Sequence, residues 1–251
     1  MLARKRNPNG GYPMLSLDLS GIYCGAPPLP AEIWLRWNLD PVLLAALAGA
    51  AVALRRSAVG LAAVGVLVLA FVSPLCALSA ALFSARVVHH ILLVAVAAPL
   101  LALALPARRP LPTVPLFVLA TLVLWGWHVP AAYDAAMANH LVYWVMQATL
   151  LGSAWLFWRA VLAPAQAVGS ALLSILGAYM QMGFLGALLT FAPRGLYAIH
   201  ATAPLDWGFT ALSDQQLGGL IMWVPAGLPY AALGLLVARR GWRAMTVAHS
   251  A

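Results

Sequence analysis

Long apolar runs, separated by short breaks rich in Pro, Gly or Arg, organise this chain. They lack strict alternation, which points to helices rather than the strands of an outer-membrane barrel. Seven runs stand out, over residues 41–54, 59–82, 87–105, 113–127, 141–162, 168–191 and 216–238. Asp40-Pro41 reads as an N-cap and first helical residue for the first run, and Arg55-Arg56 closes it. That run is well short of the roughly 20 residues a membrane span needs. Pro74 falls near the far end of the second run and Arg159 interrupts the fifth. The longest structured loop, residues 192–213, joins the last two.

Composition turns this pattern into a class. The chain is 64% hydrophobic and 8% charged, against about 25% charged in soluble domains. The expected fold is all-α, a polytopic integral membrane protein with a bundle of about seven transmembrane helices. No polar stretch is long enough for a separate soluble domain. The bundle occupies 40–240, after an irregular segment over 1–39 and before a short tail over 241–251. Trp34 and Trp37 are placed as interfacial anchors. Residues 14–23 are too short and polar for a signal-peptide core. Met14 is expected as the natural start, with the basic residues at 4–6 an extension.

Charge sets the orientation. Arg55, Arg56, Arg108, Arg109, Arg159, Arg239, Arg240 and Arg243 fall on one side of a seven-helix threading. By the positive-inside rule that side is the cytoplasm, so the N-terminus is out and the C-terminus in. All six acidic residues fall on the other side. Should the first run not span, six helices remain and the sidedness after residue 57 is unchanged. The net charge of +8 does not indicate nucleic acid, because the arginines sit in pairs at segment ends rather than in a stripe. The sole lysine is Lys5, which excludes a retinal Schiff base inside the bundle. Cys24 and Cys76 are too few for a disulfide framework and match no zinc spacing. Nothing in the sequence sets their separation, so their pairing stays open.

The chemistry concentrates at one end. His89, His90, His128, His140 and His200 all thread to the outer side, with Cys76, Met137, Met180 and Met182 nearby. Imidazole, thiol and thioether suit copper, especially Cu(I). Arg86 and His90 are i and i+4 and share a helix face, an awkward neighbour for a metal cation. His89 and His90 point about 100° apart on a helix, so at most one of them is expected to face the core directly. Histidines at helix ends also serve as structural caps, and methionines in apolar helices as packing. Ser213-Asp214 is expected to cap the last helix. Gln215 and Gln216 then enter the membrane and need partners, for which His90, His128 and Arg194 are candidates. Gly218-Gly219 permits close helix approach. There is no phosphate-binding glycine loop, nucleophile elbow, HExxH or intrahelical acidic pair. The chain does not read as an enzyme.

The stretches SPLCALSAALFSARVVHHILLVAVAAPLLALALP at 73–106, WHVPAAYDAAM at 127–137, LLGSAWLFWRAVL at 150–162, FLGALLTFAPRGLYAIH at 184–200 and SDQQLGGLIMWVPAGL at 213–228 resemble the CtaG family of cytochrome c oxidase assembly factors. The likeness runs in order from about Trp37 to Leu236. It implies a multi-pass protein of the bacterial inner membrane that matures the copper-containing subunits of a haem–copper oxidase. Oxidase subunits would be its partners, with a copper donor protein, and copper a transient cargo. Relatives often carry a His-Met-x-x-His pattern where this chain has Arg86 and His90, with His89 extra. Many also carry Glu-His where it has Met146-Gln147. The matching positions are His90, His128, Asp134 and Asp214. The expected metal residues are His90, His128 and His89, and Arg86, Asp134, Asp214, Gln215 and Gln216 are expected to support them or contact the client. The competing readings are a haem-binding membrane oxidoreductase, a copper permease, and a metal-free scaffold for oxidase subunits.

Overall fold

Asp40 starts the first helix as expected: its Oδ1 accepts from the amides of Val42 at 2.8 Å and Leu43 at 3.3 Å. The computed structural model describes residues 22–109 and 111–249. Met14 and the basic residues before it lie outside that range. The described residues contain no strand. Helices run α1 Pro41–Leu54, α2 Ala58–Phe71, α3 Pro74–Ala81, α4 Phe83–Ala104, α5 Thr113–Trp127, α6 Pro130–Ala138, α7 His140–Val161, α8 Val168–Thr190, α9 Ala211–Trp223 and α10 Gly227–His249.

Proline and serine explain the breaks. The second apolar run bends by 46° between α2 and α3. Pro74 cannot donate to the ladder, and Ser73 Oγ accepts from Leu75 N instead. A single extended residue, Leu82, separates α3 from α4. The central helix therefore begins at Phe83, four residues before the predicted start. The fourth run is α5, and the chain turns by 74° at Val129-Pro130 into α6, a helix beyond that run. α9 and α10 continue one another, and Ala211–Thr246 is a candidate span of 36 residues. The helix thus runs on through the segment expected as a tail.

Among the described residues four helices are long and apolar enough to cross a membrane: Phe83–Ala104, His140–Val161, Val168–Thr190 and Ala211–Thr246. Counting each bent pair as one span raises the number to six. α1, with 14 residues, is about 21 Å long at 1.5 Å per residue, against a hydrocarbon core of about 30 Å.

α4 is the axis of the bundle, packed against α2, α3, α7 and α9. Its middle, Leu92–Ala97, is π-helical, and Pro99 follows. In that wide turn Ala98 N reaches Leu93 O. The next such bond would run from residue 99 to Val94 O, but proline has no N–H. Trp158 Nε1, from α7, donates to Val94 O at 2.8 Å instead. The freed carbonyl is satisfied by a tryptophan that is itself 1% exposed. On the other side α9 meets α8 closely. A Cβ at Gly219 would stand 2.5 Å from Gly186 O and also strike Thr190, so the predicted glycine contact is real.

Candidate functional site

The site begins with a cap supplied from far along the chain. Asp214 Oδ2 accepts from Phe83 N at 2.6 Å, and Oδ1 accepts from Ser84 N at 3.2 Å and from the Ser84 hydroxyl. These are first-turn amides of α4 with no helical partner of their own. The expected role of Asp214 as cap of its own helix is therefore replaced. Thr210 caps α9, in a capping box with Ser213. The carboxylate is released to fix the register of α4, which carries Arg86, His89 and His90.

His90 turns toward His128, the C-cap residue of α5. Their rings are 6.0 Å apart, centre to centre. The imidazole of His128 is oriented by Nδ1, 2.7 Å from Leu124 O. With the proton on Nδ1, Nε2 keeps its lone pair, which is the arrangement a ligating histidine adopts. Neither ring nitrogen of His90 has a hydrogen-bond partner among the described residues, and both are buried. His90, His128, Met182 from α8 and Met222 from α9 together line a cavity of about 10 Å³, with Val87, Ile91, Val94 and Leu124. Two imidazoles and two thioethers in an apolar pocket form a soft donor set.

His89 is buried as well, contrary to the expectation that only one of the pair faces the core. Its ring stands edge-on to Phe71 of α2 at 4.9 Å. A helix packed on several sides buries two faces, so a 100° divergence does not send either histidine to lipid. Arg86 is fully buried and its Nη1 donates to Tyr143 Oη at 3.4 Å. Its guanidinium lies over the Tyr143 ring at 5.3 Å. Nε and Nη2 have no partner, and no carboxylate pairs with Arg86 among the described residues. Gln147, one turn beyond Tyr143, is 2% exposed with both amide atoms unpartnered.

The remaining predicted residues build the cover over this centre. Asp134 Oδ2 and Oδ1 accept from Ala198 N and Ile199 N, at 3.1 and 3.3 Å. Gln215 Oε1 accepts from Leu196 N at 2.7 Å, and Nε2 donates to Leu189 O and Arg194 O. Both residues clamp the 192–210 loop, so the partners of Gln215 are backbone groups rather than histidines. Gln216 is half-buried, and its carbonyl lies 3.5 Å from the Thr190 hydroxyl. The loop is tied down further by Tyr197 Oη donating to His128 O at 3.0 Å. His200 is buried and structural: Nδ1 faces Ala81 O and Nε2 meets Tyr133 Oη at 2.8 Å. Burial, then the Arg86 charge, push its pKa down to about 3. His140 starts α7 on the exposed surface, apart from the others. Met180 is 60% exposed and takes no part.

Cys24 and Cys76 form a disulfide, with Cα atoms 5.3 Å apart. It fastens the segment before α1 to α3. Tyr23 then stacks on Tyr143 at 5.0 Å and donates to Asp40 Oδ2 at 2.7 Å, closing the bundle above Arg86.

Sequence reasoning did not single out Met222 or Tyr143. Met222 is seven residues after Gln215, hence on the same helix face. Tyr143 precedes Gln147 by four. Both spacings were available, but neither residue type stands out in a membrane helix without its neighbours. Among the described residues no cluster of three or more His, Cys, Asp or Glu could hold a metal, so any metal here depends on the two histidines with sulfur.

No curated protein and no solved structure matches the chain. The sequence profile of the family described as cytochrome c oxidase caa3 assembly factor matches residues 41–117 and 108–244. Those stretches include every helix from α1 to α9 and all the residues of the buried centre, and on that match the chain belongs to the caa3 family of cytochrome c oxidase assembly factors.

Proposed function

We propose that this assembly factor assists copper insertion into the haem–copper oxidase by holding Cu(I) transiently between His90 and His128. Met182 and Met222 complete the donor set. The observation that carries the reading is the pair itself: two buried imidazoles, one with both nitrogens free, 6.0 Å apart and lining one small pocket with two methionines. Neutral donors in an apolar pocket favour a monovalent soft ion over a divalent one. The ion is cargo, passed from a donor protein to an oxidase subunit, and the protein has no catalytic turnover. His89 stands outside this donor set, toward α2. Asp214 and Gln215 position the centre through α4 and the covering loop. The chain spans the bacterial inner membrane with its arginine-rich ends in the cytoplasm and this centre near the outer face. α1 packs as a seventh, incomplete helix.

Haem binding between the same histidines is disfavoured by volume, since a cavity of about 10 Å³ has no room for a macrocycle. One observation favours a metal-free scaffold: Arg86 places a buried cation one turn from His90. The deciding experiment measures copper and haem per chain on detergent-purified protein loaded with Cu(I), for wild type, His90→Ala and the Met182→Leu, Met222→Leu double variant. Near-stoichiometric copper that falls in both variants supports the reading. Absence of metal in all three, with oxidase still immature in a deletion strain, sinks copper binding and leaves the scaffold.

A further inference from the structure

Arginines meet an apolar face near the end of α10. Arg239, Arg240 and Arg243 line one surface pocket of about 510 Å³ together with Ala232, Leu235 and Leu236. Arg239 and Arg243 are i and i+4 and share a helix face. Leu235 and Leu236 precede Arg239 by one turn, and Ala232 precedes Leu236 by one more. Apolar and cationic side chains thus stack along one stripe of the helix, and both leucines are exposed. Arg240 is fixed in place. Its Nη1 donates to Leu162 O at 3.1 Å and to Ala163 O at 3.3 Å, just past the end of α7.

The pocket carries charge without a counter-ion. Arg239 and Arg243 are exposed, and no carboxylate among the described residues pairs with either. Like charges one turn apart destabilise a helix. An anion between the two guanidiniums removes that cost and adds charge-assisted hydrogen bonds, for which the arginine fork suits a phosphate. Depth decides which anion. α9 and α10 form a candidate span of 36 residues, Ala211–Thr246, about 54 Å at 1.5 Å per residue. A hydrocarbon core is about 30 Å thick. The excess carries the arginine turn to the headgroups, while Leu235 and Leu236 stay beside the acyl chains. Trp242, exposed between Arg239 and Arg243 in sequence, is of the aromatic type enriched at that level. Topology by itself needs only positive charge near one membrane surface; it does not need guanidiniums gathered on one apolar pocket.

We infer that this pocket binds an anionic phospholipid, with its phosphate between Arg239 and Arg243 and an acyl chain along Leu235, Leu236 and Ala232. A zwitterionic phospholipid offers the same phosphate and the same tails but brings its own cation to the arginines. Recognition therefore shows as discrimination between head groups. Free phosphate carries the charge but has nothing to lay on the leucines. Neither His90 nor His128 lines the pocket, so this inference stands or falls apart from copper.

The test uses full-length, delipidated protein in mild detergent and counts bound lipid by native mass spectrometry. The probes are phosphatidylglycerol, phosphatidylcholine with the same acyl chains, and inorganic phosphate as competitor. Phosphatidylglycerol is expected to bind about tenfold or more tightly than phosphatidylcholine, the discrimination two arginines at a membrane surface provide. The Arg239→Gln, Arg243→Gln double variant should bind the two lipids alike. The Arg55→Gln, Arg56→Gln double variant removes the same charge from an exposed pair at the end of α1 and should keep the preference. Elution on size exclusion as wild type shows that a variant is folded. Equal binding of the two lipids by wild type overturns the inference and leaves the arginine turn to an acidic protein segment. Equal loss of the preference in both double variants overturns it as well, and marks general electrostatic attraction. Displacement of phosphatidylglycerol by equimolar inorganic phosphate overturns the lipid as occupant, because the acyl chain then contributes nothing.

Discussion

Asp214 and Phe83, 131 residues apart, are joined by a hydrogen bond of 2.6 Å from the Phe83 amide to the Asp214 carboxylate. Through it one helix determines where another begins. The α4 start has no side-chain cap of its own, so the acceptor from α9 replaces one. Asp214→Ala removes the acceptor for two buried amides and one hydroxyl. A loss of about 1–3 kcal/mol is expected from unsatisfied buried donors, read as a lowered thermal midpoint in detergent. Asp214→Asn keeps one acceptor oxygen and should lose less. Copper retention should fall in step with the loss of α4 register if the His90–His128 pair holds the ion.

Arg86 gives the opposite expectation. Its charge is buried and unpaired among the described residues, so Arg86→Met removes a cost while keeping much of the stem. Replacing buried ionic groups with apolar ones is often neutral or stabilising by about 1–4 kcal/mol. Delipidated Arg86→Met should therefore unfold at the same temperature as wild type or higher. A clear drop would mean that the contact with Tyr143 outweighs the burial of the charge.

The Cys24–Cys76 bridge closes a loop of 52 residues in sequence separation. Removing such a cross-link typically costs about 2–5 kcal/mol through the entropy of the unfolded chain. Cys24→Ser should destabilise the protein by that order in thermal unfolding. It should also free the Tyr23 segment from Tyr143, visible as faster amide exchange over residues 22–38. The double variant with Cys76→Ser should be no worse than the single one.

His200 makes folding sensitive to acid. Its folded pKa is about 3, below the ordinary 6.5, because burial and the Arg86 charge disfavour the imidazolium. The unfolded state then binds the extra proton first, so stability rises with pH across the window between those values. The His200 contribution is complete above about pH 6.5 and is lost progressively as pH falls toward 3. His200→Gln should flatten this limb of the stability–pH curve. An unchanged slope would show that other groups carry it.

Much of this was legible in the chain itself. Apolar run lengths established an all-helical membrane protein, because backbone groups in lipid must be satisfied within the segment. Asp40-Pro41 and Arg55-Arg56 marked helix ends because their chemistry is local, whereas the second run was read as one helix and breaks at Ser73-Pro74. The strings around His90, His128 and Asp214 carried the family, and Gly218-Gly219 announced a close contact that Gly219 makes. What tertiary structure alone decided is which face meets which. That Asp214 caps α4 rather than α9, that Cys24 reaches Cys76, and that Met182 and Met222 converge on His90 and His128 are all relations between distant segments. In a membrane helix nearly every face is apolar, so hydrophobic periodicity cannot say which one is buried in protein. Only the packing of α4 against four neighbours set Arg86, His89 and His90 inside the bundle, with His89 against Phe71, Arg86 against Tyr143 and His90 toward His128.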